Sequence, residues 1–170
     1  YRTEFLYLKR DAEPDEETHF RAYSEIAKSA NSRPVTIRTL DLGADKIFST
    51  EEKNGLEANP VLGLRGIRYS LSHPKLFKKQ LAGILRAAVH GDLRILLPMV
   101  SNPSEIIQTK ALVAEVATEL KNRGVPYTKD IPIGSMLEVP SAVINAESIF
   151  QHADFVSVGT NDLLQYLLAI

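Results

Sequence analysis

The chain has 170 residues, enough to bury the core of one domain. Twenty lysines and arginines against 21 aspartates and glutamates leave a net charge of −1, which excludes the basic footprint of a nucleic-acid binder or of a protein drawn to anionic membranes. The absence of cysteine excludes disulfides and thiolate metal sites and is compatible with a cytoplasmic location, and no apolar run approaches the roughly 20 residues of a membrane helix.

The chain opens on Tyr1-Arg2-Thr3 without methionine and closes on the apolar Leu167-Leu168-Ala169-Ile170 without a stop signal. Both ends are therefore expected to lie inside a longer protein, with residues 1–170 a single piece of one domain. A partial strand is expected over Tyr1–Leu8. Phe20, Tyr23, Ile26, Ala27 and Ala30 then form an apolar stripe at helical spacing, with Pro14 suited to the first turn. Val35–Asp41 reads as a strand, followed from Leu42 to Pro60 by an aperiodic stretch punctuated by Gly43, Gly55, Asn59 and Pro60. Such long loops are usually functional.

A helix is expected from Pro74, with Phe77, Leu81, Ile84, Leu85 and Ala88 on one side and His73 as its cap. Leu93–Met99 is the next strand. Asn102 and Glu105 stand at capping-box spacing around Pro103, and Val113, Val116, Ala117 and Leu120 continue that helix until Gly124. Strand Ile131–Glu138, a helix from about Pro140 to Gln151, strand Asp154–Val158 and a helix from near Asp162 complete the pattern.

Strands alternating with helices imply parallel β/α units. No glycine-rich dinucleotide fingerprint follows the early strands, which disfavours a Rossmann fold. A full barrel takes roughly 250 residues. The expected fold class is therefore α/β, an incomplete (β/α)8 TIM barrel of about five parallel strands with their helices.

The strand ends collect charge. Arg2 and Glu4 follow the first, Arg38, Asp41 and Lys46 the second, Glu138 the fourth, and Asn161 and Asp162 the last, with Arg65 beyond the long loop. Guanidiniums bind phosphate and carboxylate oxygens bidentately. Carboxylates without thiolate or imidazole neighbours suit a hard cation such as Mg²⁺. Together they describe a site for a small, highly anionic, metal-chelating substrate, as phosphoryl transfer requires. Each residue also has a plainer reading: Arg2 as a frayed end, Arg38 as the partner of Asp41, Glu138 as favouring a helix N-terminus, and Asn161 or Asp162 as an N-cap. His19, His73, His90 and His152 lack metal-ligand spacing and read as structural.

Six motifs carry a resemblance over essentially the whole chain. They are Tyr1–Leu6, Ile37–Lys46, Asn59–Arg68, Leu97-Pro98-Met99, Met136–Pro140 and Gly159–Leu163. In this order they resemble the phosphoenolpyruvate-utilising family, and within it enzyme I of the bacterial sugar phosphotransferase system. The resemblance implies the barrel domain that binds phosphoenolpyruvate and Mg²⁺. From there the phosphoryl group would pass to a histidine on a separate domain and on to a small histidine phosphocarrier protein. By resemblance Arg2, Arg38, Arg65 and Asn161 bind substrate, Glu138 and Asp162 bind the metal, and the parent is a cytoplasmic homodimer.

The family's phosphohistidine and the cysteine acid that protonates the enolate carbon have no counterpart here, so no catalytic residue is expected within these 170. Ala44 and Leu64 depart from the usual glycine and tryptophan. The nitrogen-regulatory paralogue, phosphoenolpyruvate synthase and pyruvate phosphate dikinase share the barrel and remain alternatives. A degenerate, non-catalytic module that binds phosphoenolpyruvate is the alternative of another class.

Overall fold

A computed structural model describes residues 1–7, 13–42 and 63–169. The long connection from Gly43, Lys46, and the first part of the Asn59–Arg68 motif lie outside the described residues.

Among the described residues four strands form one parallel sheet: β1 (Val35–Arg38), β2 (Leu93–Leu97), β3 (Ile133–Leu137) and β4 (Phe155–Val158). Their spatial order is their sequence order. Around them run α1 (Glu16–Ser29), α2 (Ile67–Ser72), α3 (Pro74–Ala87), α4 (Pro103–Asn122), α5 (Pro140–Ile144), α6 (Ala146–Phe150) and α7 (Thr160–Leu168).

Side chains alternate across each strand, so register separates two faces. Ile37, Leu93, Ile95, Leu97, Ile133 and Leu137 join Tyr23, Phe77, Leu81, Ile84, Val116 and Leu120 of the helices in one core. The alternate residues Thr36, Arg38, Leu96, Met136, Phe155 and Ser157 instead line a cavity of about 420 Å³ on the other face. Consecutive strand order with the helices packed on one face is the arc of a barrel. A doubly wound sheet would reverse its strand order and carry helices on both faces.

Most local expectations hold. Asn102 and Glu105 form the capping box of α4, with Pro103 in its first turn, and Gly124 follows the helix at φ 65°. Other features differ. The strand expected over Tyr1–Leu8 does not form over its described residues 1–7. Arg2 makes one parallel bridge to Arg38, and residues Thr3–Leu6 then turn into a 3₁₀ helix. The turn satisfies two buried polar side chains: Thr3 meets Gln80 and Glu4 meets Arg38.

Pro14 precedes α1 instead of opening it. Asp15 accepts the Thr18 N–H at 2.8 Å, and that cap sets the helix start. The helix expected from Pro140 to Gln151 breaks at Asn145, whose ψ of 19° leaves the helical region. The last helix starts at Thr160, so Asp162 lies in its first turn and Gly159 is the N-cap residue. His73 occupies the N-cap position of α3 but does not cap with its side chain, stacking on Tyr69 at 4.0 Å instead. The short α2 is an element that periodicity did not reveal. No helix among the described residues is long and apolar enough to cross a membrane.

Candidate functional site at the strand ends

Parallel strands bring their C-terminal ends to one rim, and the charged residues gather there. Arg38, the last residue of β1, donates from Nη2 to Glu4 Oε1 at 2.8 Å and from Nη1 to Asp41 Oδ2 at 3.0 Å. Arg65 donates from Nε to Asp41 Oδ1 at 3.0 Å and from Nη2 to Asp41 Oδ2 at 3.3 Å. Its Nη1 reaches Asp162 Oδ1 at 2.9 Å. The result is an alternating line, Glu4–Arg38–Asp41–Arg65–Asp162, spanning residues 158 apart in sequence.

Asp41 is its centre, with a side chain only 2% exposed. A carboxylate so buried needs both guanidiniums, because removing one partner of a buried pair costs roughly 3–5 kcal/mol. For Arg65, burial works against the charge. The bonds and charges of Asp41 and Asp162 outweigh it, and the pKa stands above the ordinary arginine value.

Glu138 follows β3 and is 1% exposed. Its Oε1 accepts the Met99 N–H at 2.6 Å. Met99 lies in the left-handed region at φ 59°, a conformation costing a non-glycine residue roughly 1–2 kcal/mol. Gly66, itself at φ 60°, allows Met99 to sit there: a Cβ on it would lie 2.8 Å from the Met99 side chain. Gly159 gives Glu138 the same room, since a Cβ there would lie 2.6 Å from Oε2. Burial pushes the Glu138 carboxyl up to about 7. The Met99 N–H opposes this, the charges of Asp41 and Asp162 add to it, and that of Arg38 opposes it again.

The structure thus brings Arg38, Arg65, Glu138 and Asp162 together. Arg2 is exposed and joins Arg38 in lining the 420 Å³ cavity, and Arg38 Nε is buried without a hydrogen-bond partner. Asn161 is exposed in the first turn of α7 beside Asp162. Of the plainer readings, the Arg38–Asp41 pair is real, and Asp162 is not an N-cap.

Three participants escaped sequence reasoning. The Met99 N–H is a backbone group with no residue-type signature. Tyr166 stands one helical turn beyond Asp162, close enough to feel the charges of Arg65, Asp162 and Arg68. Gln80 lies behind the rim; its only signal was a polar residue on the apolar stripe of α3.

Among the described residues no three His, Asp or Glu side chains converge as a ready-made metal cage. The local chemistry nevertheless fits a hard divalent cation. The available donors are carboxylate oxygens, and Glu138 ionises at a cost that a neighbouring cation would relieve. Mg²⁺ typically takes one or two carboxylates and completes its shell with water and substrate oxygens.

The family model for the PEP-binding domain of PEP-utilising enzymes matches residues 1–170. Among curated proteins, the phosphoenolpyruvate-protein phosphotransferase of Cupriavidus necator is 44% identical over 172 residues, covering 100% of this chain and 29% of the relative. The enzyme of that name from Staphylococcus aureus is 44% identical over 169 residues, and that from Priestia megaterium 42% over 169, each match covering 99% of this chain and 29% of the relative. The chain thus spans about 29% of the length of these relatives. A match to the domain over every residue, with arginines and carboxylates assembled at the strand ends of a barrel arc, places this chain in the family of PEP-utilising enzymes, as their PEP-binding domain.

Proposed function

We propose that this domain is the phosphoenolpyruvate- and Mg²⁺-binding part of a phosphotransferase. In this reading the enzyme moves the phosphoryl group of phosphoenolpyruvate to a histidine elsewhere in the protein. A small histidine phosphocarrier protein then receives it, in the service of sugar uptake, in a cytoplasmic homodimer. The observation that carries the reading is the paired clamp of Arg38 and Arg65 on the shared carboxylate of Asp41, beside Glu138 and Asp162.

Phosphoenolpyruvate carries a phosphate and a carboxylate, each matched to a guanidinium fork. Arg38 and Arg2 line the cavity that would admit it. Arg65 now spends Nη1 on Asp162. Substrate oxygens at Arg65 would release Asp162 to join Glu138 as a metal ligand. Bound there, Mg²⁺ would neutralise charge on the transferring phosphoryl group and hold it in place. Asn161, exposed next to Asp162, is positioned to donate its amide to phosphate. The enolate left behind needs a proton at carbon, and in this reading the acid that gives it is the family's cysteine, which has no counterpart in these 170 residues.

The test uses the full-length protein and Mg²⁺-dependent phosphorylation by phosphoenolpyruvate. Glu138→Ala and Asp162→Ala should each abolish turnover at limiting Mg²⁺ while leaving the circular dichroism spectrum intact. Full activity of Glu138→Ala under those conditions would remove the metal from the reading.

A further inference from the structure

Behind the charged rim lies a second polar cluster, buried and built mostly from side chains outside the motifs that pointed to the site. Gln80 of α3 is 0% exposed. Its Oε1 accepts the Leu40 N–H at 3.2 Å. Its Nε2 donates to Thr3 Oγ1 and to the Tyr23 hydroxyl, both at 3.2 Å. The Tyr23 hydroxyl is hydrogen-bonded to His19 Nδ1 at 2.9 Å, and His19 Nε2 to the Tyr7 hydroxyl at 3.3 Å.

The partners decide the meaning. Thr3 stands between Arg2 and Glu4, and Leu40 between Arg38 and Asp41. A single amide therefore ties together the two segments that carry four of the site's charged groups. Its orientation is determined as well. Turned over, the NH₂ would face the Leu40 N–H, and the carbonyl would face two hydroxyls while leaving a donor unmet. The same two segments also meet directly, through the Arg2–Arg38 bridge, where the Arg38 N–H donates to the Tyr1 carbonyl at 2.9 Å, and through the Arg38–Glu4 pair. Helix α3 holds Gln80 firmly, because Gly83 lets α1 approach so closely that a Cβ on it would lie 2.4 Å from that of His19.

We infer that Gln80 is a positioning residue for anion binding: its buried amide sets the distance and angle between the Arg2–Glu4 turn and the Arg38–Asp41 strand end. A cluster built only for stability has no need to join these two segments at the residues between their charges. An oxygen-binding fork loses its match when displaced by a fraction of an ångström, so slackening this tie weakens substrate binding first. The inference rests on the reading of the site as one for phosphoenolpyruvate.

The experiment compares the full-length wild type with Gln80→Leu and Gln80→Glu in Mg²⁺-dependent phosphorylation by phosphoenolpyruvate. Gln80→Glu keeps the acceptor for the Leu40 N–H and, when protonated, one donor, so it guards against a misfolded Gln80→Leu. The expected result is a KM for phosphoenolpyruvate raised on the order of tenfold with kcat little changed, as for other residues that orient binding groups from behind. Gln80→Glu should recover part of that loss as the pH falls and its carboxyl gains a proton. A lowered melting temperature with an unaltered KM in the folded variants would overturn the inference and leave Gln80 a core residue. If the wild type itself fails to take phosphate from phosphoenolpyruvate, the functional reading fails instead, and the two failures are distinct.

Discussion

Replacing Glu138 by glutamine should make the domain more stable at neutral pH, not less. The folded carboxyl has its pKa raised from the ordinary 4.5 to about 7. Between these values the folded chain keeps a proton that the unfolded chain releases. Stability therefore falls as pH rises through that window and levels off above about 7. At about 1.4 kcal/mol per pH unit, the interval from 4.5 to about 7 is worth roughly 3 kcal/mol. Glutamine keeps an acceptor for the Met99 N–H and carries no charge to repel Asp41 and Asp162.

The assay is urea unfolding followed by circular dichroism, with chelator present, from about pH 4.5 to pH 8. The other groups titrate in both proteins, so the difference between wild type and Glu138→Gln isolates this carboxyl. The two should coincide at the acid end and separate by roughly 3 kcal/mol at the alkaline end, with glutamine the more stable. Millimolar Mg²⁺ at pH 8 should raise the wild type and leave the variant where it was. Parallel curves, within about 0.5 kcal/mol over the whole range, would refute both the raised pKa and the idea that the fold stores free energy for a cation.

Arg38→Lys keeps the charge but cannot span Glu4 and Asp41 with one planar fork. It should cost on the order of 2 kcal/mol in kcat/KM for phosphoenolpyruvate, about thirtyfold, and steady-state kinetics near wild type would make Arg38 purely structural. The 170-residue polypeptide on its own should self-associate. β4 is an outer strand of the sheet, Val156 and Val158 on it are exposed, and so are Leu164, Leu167 and Leu168 of α7. Light scattering across a dilution series measures this, and a monomer at every concentration would contradict the edge argument. That polypeptide should also fail to pass phosphate from phosphoenolpyruvate to a carrier protein, a result checked by following labelled phosphate.

The alternation of β-branched runs with apolar helical stripes was enough to read parallel β/α units, because both periods are local properties of the backbone. The caps at Asn102 and the end at Gly124 were legible for the same reason: each depends on a few neighbouring residues. The charged strand ends could be read as a set, since parallel strands deliver their C-terminal ends to one rim. What sequence could not supply was pairing across long separations. That Asp41 serves both Arg38 and Arg65, and that Arg65 holds Asp162, follows from how the strands lie side by side. The turn at Thr3–Leu6 replaced an expected strand because Thr3 and Glu4 found buried partners 77 and 34 residues away. Gln80 looked like an interruption of an apolar stripe. Only the folded chain shows what that interruption meets, by burying its amide between the Thr3 turn and the end of β1, since a buried amide is stable only where its donors and acceptor are all met.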